Sequence, residues 1–251
     1  MPEPKSFQVA GVDGCRAGWF VAIASVTRRN RAEAHDEFKL ENVFIVDTFA
    51  EVLSKTIDCV LVCVDIPIGL SNGNKPRECD VAARKLLRGP RASSVFPAPI
   101  RPSLEAADYE TACKISLEHT GKKLSKQSFA LLKKIRQVDD LMTPTLQRRV
   151  REIHPEISFW ALNNQEPARH NKRRLIGRKE RMKLLGPIFS ELERIVAETR
   201  KPKELAPDDI LDALVAAWTA GQTVIKKAKT LPENPELDSK GLKMEILCPL
   251  E

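Results

Sequence analysis

Four aspartates stand near the ends of apolar segments, where carboxylates could do chemistry. They are Asp13, Asp65, Asp209 and Asp212. An ionised carboxylate beside an apolar run such as VLVCVDIP, which contains Asp65, is costly without a partner. Carboxylates that converge inside a fold stay partly protonated or share a cation, and hard ions such as Mg²⁺ or Mn²⁺ suit such clusters. Paired ions of this kind clamp the oxygens of a phosphodiester displacement, so the four residues predict a metal-dependent phosphodiesterase.

Each aspartate also has a structural explanation. Asp13 precedes a glycine, and Asp-Gly between apolar runs is a strong hairpin signal. Asp65 could accept the backbone amides of the IPIG turn, and Asp209 stands where helix caps and first-turn acids occur. Asp212 has the weakest structural explanation, because it shares a helix face with Asp209 and like charges at that spacing repel. The combination therefore favours a site.

The stretch EIHPEISF supplies two further candidates. Glu152 and His154 share one face if 150–154 is a strand, and either Glu152 or Asp209 could complete a metal shell. His154 could orient a water or act as a general acid. The structural alternative for His154 is a hydrogen-bonded histidine.

Basic and hydroxyl residues around a Pro-rich loop form a set that could grip phosphate. We expect the substrate-binding residues to be Arg84, Arg91, Ser93, Ser94 and Arg101. The run RHNKRRLIGRKER at 169–181 is strongly basic and could contact the same substrate. A loop pinned by proline and a solvated basic face are the structural alternatives for these two segments.

Charge and composition narrow the class of protein. The chain of 251 residues has 41 Lys and Arg against 34 Asp and Glu, a net charge of +7. This excess favours nucleic acid as a partner, although a merely basic protein would show it too. The six cysteines form no CxxC pair or zinc spacing, which suits a reducing compartment. With no visible leader and no long apolar span, we expect a soluble cytoplasmic protein without a membrane partner.

The pattern of apolar residues predicts an α/β fold. The run 58–70 lacks alternation and should form a central strand that is buried on both faces. Thr48 and Glu51 predict a capping box. The other predicted elements are strands at 6–13, 18–26 and 40–47, a helical insertion at about 76–147, a short strand interrupted at Pro155, an amphipathic helix at 182–199 and a last helix at 206–228. We expect one domain over 1–228 and an accessory C-terminal tail at 229–251.

This order of elements and acids resembles the ribonuclease H-like fold. More specifically, the chain is similar to the DUF429 family, whose uncharacterised members are regarded as predicted nucleases of that fold. The shared motifs are GVDGCRAGW, VDIPIGL, RECDVAARKLL, SSVFPAPIR, IRQVDD, EIHPEISFWAL and DDILDALVAAWTA. The resemblance implies a mixed sheet flanked by helices, with the helical insertion after the fourth strand.

The resemblance also implies roles for individual acids. Asp13 and Asp65 would bind metal, and Asp212 would close the site. The spacing of Asp209 and Asp212 resembles the last-helix pair of Holliday-junction resolvases of the RuvC type. Those resolvases usually have Glu at the second position, where this chain has the shorter Asp65.

The leading hypothesis is therefore a nuclease that uses Mg²⁺ or Mn²⁺ to hydrolyse DNA or RNA. Its catalytic residues would be Asp13, Asp65, Asp209, Asp212, Glu152 and His154. Two alternatives remain: a nucleotide-binding phosphotransferase or switch akin to actin-like ATPases, and a non-catalytic nucleic-acid-binding protein. The sequence leaves open the choice between DNA and RNA and the oligomeric state, for which a dimer is one option.

Overall fold

A five-stranded mixed sheet lies at the centre of the computed structural model, which describes residues 5–28, 36–73, 75–201 and 203–250. Its strands are β1 (Ser6–Cys15), β2 (Gly18–Thr27), β3 (Glu37–Val46), β4 (Leu61–Val64) and β5 (Val150–Glu152). They lie in the order β3-β2-β1-β4-β5. β1, β2 and β3 pair antiparallel, whereas β4 and β5 run parallel to β1. This order and these directions are those of the ribonuclease H-like fold, so the predicted fold class is confirmed.

Helices cover both faces of the sheet. They are α1 (Phe49–Lys55), α2 (Glu78–Leu87), α3 (Tyr109–Thr120), α4 (Lys126–Leu141), α5 (Pro155–Leu162), α6 (Leu175–Leu185), α7 (Leu192–Thr199) and α8 (Pro207–Val224). One core joins the sheet to α5 and α8, and the other joins it to α1, α3 and α4. Within the described ranges, no helix is long and apolar enough to cross a membrane.

Small residues bring α8 close to the central strand. A Cβ atom at Gly11 of β1 would collide with the backbone of Ala213 and Ala217. Ala216 also lies against Gly11. This close approach holds the first turns of α8 near the end of β1, where Asp13 lies.

The first hairpin turns later than the Asp-Gly signal predicts. Asp13 lies within β1, paired with Phe20, and the strand continues to Cys15. The loop is formed by Arg16 and Ala17 and is followed by Gly18, whose φ of 135° favours glycine. The interpretation of Asp13 as the turn residue was therefore wrong, because ladder pairing continues past Asp-Gly.

Two other predicted elements differ from the structure at proline residues. Pro155 begins α5 rather than interrupting a strand, because proline suits the first position of a helix. The amphipathic helix predicted over 182–199 is divided into α6 and α7 around Pro187, which cannot continue the first helix. The strand predicted over 58–70 is confirmed as central but is only four residues long. The capping box of Thr48 and Glu51 is confirmed.

The C-terminal segment is packed into the protein rather than accessory to it. Its strands β6 (Ala228–Leu231) and β7 (Ile246–Pro249) pair antiparallel, and every residue of β7 is buried. Leu247 also forms a parallel bridge with Ile153, next to β5. Parts of the predicted domain and tail, namely residues 1–4, 29–35, 74, 202 and 251, lie outside the described residues.

Candidate functional site

Two parallel strands and one helix end bring four carboxylates together. Asp13 lies near the carboxyl end of β1, and Asp65 follows β4 directly. The Asp65 amide donates to the Val12 carbonyl at 3.0 Å, which keeps the two aspartates on neighbouring strand ends. The first turns of α8 add the other two. We call Asp13, Asp65, Asp209 and Asp212 the acidic cluster.

Burial and mutual repulsion raise the pKa of every member of the acidic cluster. Burial raises the pKa of Asp13 well above its ordinary value, and the negative charges of Asp65, Asp212 and Asp209 raise it further. Burial also raises the pKa of Asp65, Asp209 and Asp212 to about 6 in each case. The acidic cluster therefore favours a bound proton or a nearby cation more strongly than exposed aspartates do.

The oxygens of the cluster differ in their hydrogen bonds. Asp13 Oδ1 accepts from the Gly14 amide at 2.8 Å. Asp209 Oδ2 accepts from the Ala206 amide at 3.0 Å and so also caps the start of α8. Asp212 Oδ1 is buried and has no hydrogen-bond partner among the described residues. A buried oxygen without a donor indicates a position where a water or a cation belongs.

Lys172 lies at the acidic cluster, although the sequence did not single it out. Its Nζ forms an ion pair with Asp212 Oδ2. Burial alone would lower the pKa of Lys172, but the charges of Asp212, Asp65 and Asp13 hold it above its ordinary value. The basic run 169–181 was the available signal, yet nothing in it indicated which of its cations points towards the acids.

A buried ion pair holds the segment that carries Lys172. Arg181 of α6 donates to Glu156 Oε1 of α5 at 2.5 Å, and both side chains are buried. Arg181 Nη1 also donates to the His170 carbonyl at 3.1 Å and to the Gly177 carbonyl at 2.9 Å. The pair therefore anchors the chain on both sides of Lys172.

His154 lies beside the cluster with both ring nitrogens engaged. Nδ1 accepts from the Glu156 amide at 3.2 Å, so the ring proton is on Nε2, which lies 3.4 Å from the Ser94 carbonyl oxygen. Burial lowers the pKa of His154, against the raising effect of the Glu156 charge. This arrangement favours a neutral histidine that positions the Ser94 loop over one that donates a proton.

Some of the remaining candidates from the sequence lie beside the basic segment, and the others are paired elsewhere in the protein. Arg91 Nη2 donates to the Arg169 carbonyl at 3.2 Å, so the loop that also contains Ser93 and Ser94 contacts the basic segment. The other three are not brought to the acidic cluster. Glu152 pairs with Arg77 and the Ile68 amide, Arg84 Nε donates to the Val95 carbonyl, and Arg101 pairs with Asp139 and Asp238.

The donor types suit a hard divalent cation, although the side chains are not arranged around one. No three His, Cys, Asp or Glu side chains of the described residues are placed so as to bind a metal ion together. The unpartnered Asp212 Oδ1 and the excess of carboxylates still fit such an ion in chemistry. Lys172 supplies positive charge to the same carboxylates in this arrangement.

Comparison with known proteins places the chain in a family. The model of the family described as "Protein of unknown function (DUF429)" matches residues 11–237. The chain belongs to the DUF429 family. The region matched by the DUF429 model contains the whole acidic cluster and Lys172.

Two further comparisons complete this result. The chain is similar to a solved structure titled "Thermus thermophilus RuvC structure", with 13% sequence identity and a TM-score of 0.37. The similarity covers 87% of this chain and 96% of that one. The comparison with curated proteins gives no match.

Proposed function

We propose that this protein is a metal-dependent nuclease that hydrolyses phosphodiester bonds in DNA or RNA. The observation that supports the proposal most strongly is the acidic cluster itself. Four carboxylates from β1, the end of β4 and α8 share one region, in which Asp13 and Asp212 are buried and the other two are partly buried. Burial, and then the repulsion between their charges, raises their pKa values. Such an arrangement is unfavourable for stability alone, and perturbed carboxylates of this kind are typical of functional sites.

Asp13, Asp65 and Asp212 would hold the divalent ion. When bound, the ion would supply Lewis-acid stabilisation of the negative charge that develops on the phosphate. Asp209 would orient the start of α8 through its bond to the Ala206 amide. Asp212 would present its unpartnered Oδ1 to the ion.

The surroundings of the cluster supply positive charge for a nucleic-acid backbone. Lys172 reaches the cluster, and the next two residues, Arg173 and Arg174, are exposed. Arg91 contacts the same segment through the Arg169 carbonyl. Cations around an acidic site would bind phosphates of the substrate on either side of the cleaved bond and make binding weaken with salt.

The first test is cleavage of labelled single-stranded, duplex, RNA–DNA hybrid and four-way-junction substrates in Mn²⁺. We expect the wild-type protein to cleave at least one of them, and Asp212→Asn to be inactive. Asp208→Asn is the matched control, since it makes the same change in the same helix, four residues before Asp212 and outside the acidic cluster. Circular dichroism would verify that both variants are folded.

Two outcomes would contradict the proposal. One is the absence of cleavage of every substrate by folded wild-type protein. The other is equal cleavage by the wild type and by folded Asp212→Asn. Tight binding of nucleic acid that is indifferent to divalent metal, without cleavage, would support a non-catalytic binding protein instead.

A further inference from the structure

A cavity of about 390 Å³ is built from residues outside the acidic cluster. Its walls come from the loop after β4, the first two turns of α2, the Pro-rich segment and the facing ends of α3 and α4. None of the four cluster aspartates lines it, and Lys172 does not line it either. Its volume is within the range of small-molecule binding sites.

Two of the family motifs form this cavity. RECDVAARKLL contributes Arg77, Asp80 and Arg84, and SSVFPAPIR contributes Pro97 and Ala98. The motifs are fastened to each other, because the Ala98 amide donates to Asp80 Oδ2 at 3.2 Å and Arg84 Nε donates to the Val95 carbonyl at 2.7 Å. These hydrogen bonds hold the walls of the cavity in place. The proposed role of the acidic cluster does not account for these two motifs.

The cavity carries an excess of positive charge. Lys75 is paired with Glu236, and Arg77 is paired with Glu152. Among the described residues, no carboxylate forms an ion pair with the three other lining cations, which are Arg84, Lys122 and Lys123. Asp80 is the one acid in the lining, and its charge is offset by Arg77, whose Nη1 lies 3.8 Å from Asp80 Oδ1.

Three guanidinium nitrogens of the cavity lining lack acceptors among the described residues. Arg77 is 2% exposed, and its Nε and Nη1 have no hydrogen-bond partner among the described residues. Arg84 Nη2 is likewise buried without a partner. Buried donors of this kind call for a bound water or ion, and the arginine fork matches the oxygens of phosphate or carboxylate. Arg77 and Arg84 both line the cavity, so an anion held there would be a fitting acceptor for these donors.

We infer that this cavity binds the phosphate group of a small phosphorylated organic molecule or of a nucleic-acid strand end. Three unpaired cations match a phosphate monoester dianion better than a carboxylate with a single charge. Pro76, Ile100 and Leu124 give the cavity apolar walls against which the organic part would pack. The inference is independent of the proposed nuclease activity, because the two sites share no residue.

Isothermal titration calorimetry tests the inference with the full chain in EDTA. The probes are inorganic phosphate, adenosine 5′-monophosphate and adenosine. We expect both phosphates to bind and adenosine not to bind. Lys122→Gln combined with Lys123→Gln should weaken phosphate binding about tenfold, which corresponds to about 1.4 kcal/mol. Both lysines are exposed, so the double variant should fold normally.

The control is Lys114→Gln combined with Lys133→Gln, which removes two exposed charges from α3 and α4 away from the cavity. It should bind phosphate as the wild type does. Asp212→Asn should also bind phosphate normally, which separates this site from the acidic cluster. Absence of binding of both phosphates at about 10 mM, well above ordinary ligand affinities, would overturn the inference. Equal weakening by the two double variants would also overturn it, because the effect would then come from net charge alone.

A pair of trinucleotides distinguishes the two sources of phosphate. If the site takes strand ends, a 5′-phosphorylated trinucleotide binds more tightly than adenosine 5′-monophosphate, and its 5′-hydroxyl counterpart does not bind at the cavity. If the site takes a free small molecule, the mononucleotide binds more tightly than either trinucleotide. Either result supports a phosphate site, provided that Lys122→Gln with Lys123→Gln weakens it.

Discussion

Lys172 Nζ and Asp212 Oδ2 form an ion pair that joins the basic segment to α8, across 40 residues of sequence. The ammonium group lies among the carboxylates that would bind a divalent ion. The negative charges of Asp65 and Asp13 also raise the pKa of Lys172. Lys172 therefore serves as a counter-ion for the cluster as a whole. A divalent cation would therefore compete with Lys172 for the negative charge of the same carboxylates.

Replacement of Lys172 by methionine keeps the side-chain stem and removes the charge. We expect Lys172→Met to lower the free energy of unfolding by about 2 kcal/mol at pH 8, because Asp212 loses its partner while it is buried. Added Mn²⁺ should then stabilise the variant more than the wild type, measured as the shift in Tm. Lys179→Met is the control, since Lys179 is exposed on the same segment. An equal Mn²⁺ shift in all three proteins would show that Lys172 does not compete with the metal.

Asp13→Asn should separate stability from activity. The substitution removes one of four repelling carboxylates, so it should raise the metal-free stability by about 1 kcal/mol, or about 2–4 °C in Tm. Cleavage should fall by about 100-fold or more, since even residues behind a metal ligand contribute 10–100-fold. Calorimetry and the cleavage assay measure the two effects. A variant that loses both stability and activity would indicate a structural role for Asp13.

Stability should depend on pH through the acidic cluster. Asp65, Asp209 and Asp212 have pKa values of about 6 in the folded protein, against the ordinary aspartate value of 3.8. The folded state thus binds protons more tightly than the unfolded state. This contribution is fully present below about pH 4 and is lost as pH rises through about 6.

Urea unfolding between pH 4 and 8 measures this dependence. The informative quantity is the difference in unfolding free energy between the wild type and Asp65→Asn with Asp212→Asn, because other titrating groups cancel in it. This difference in unfolding free energy should change by about 1–3 kcal/mol as pH rises from 4 through about 6. It should level off towards pH 8. A difference that is flat with pH would contradict the raised pKa values.

The Glu156–Arg181 pair should act as one unit. Glu156→Gln leaves the buried Arg181 charge without a partner and should cost about 3–5 kcal/mol, as should Arg181→Met. The double variant should lose clearly less than the sum of the two single losses. A thermodynamic double-mutant cycle measures this coupling, and additive losses would mean that the pair does not anchor the segment.

Local signals in the sequence were sufficient for much of the fold. The strands β1 to β3, the capping box of Thr48 and Glu51, and the central position of β4 followed from apolar patterning and cap chemistry. Errors arose where one residue type suits two local structures. Asp-Gly can form a turn or continue a strand, and Pro155 can interrupt a strand or begin a helix.

The resemblance to a family predicted features that local patterns could not. The motifs indicated the ribonuclease H-like order of strands and singled out Asp13, Asp65 and Asp212, which the structure places in one cluster. Their catalytic role stays a prediction, as do the roles of Asp209 and His154. Glu152 and Arg101 looked equally suitable in the sequence, but each is engaged by partners away from the cluster.

The sequence by itself thus determined most of the elements, because hydrophobic period and caps are local properties. Its family motifs indicated the fold and the acids at the strand ends. Only the tertiary structure decided which cation meets those acids, how Arg181 anchors that cation's segment, and that two motifs enclose a separate basic cavity. These are contacts between residues far apart in the chain. Their choice of partner depends on the geometry of burial, in which an unpaired charge is costly, and no local pattern encodes that geometry.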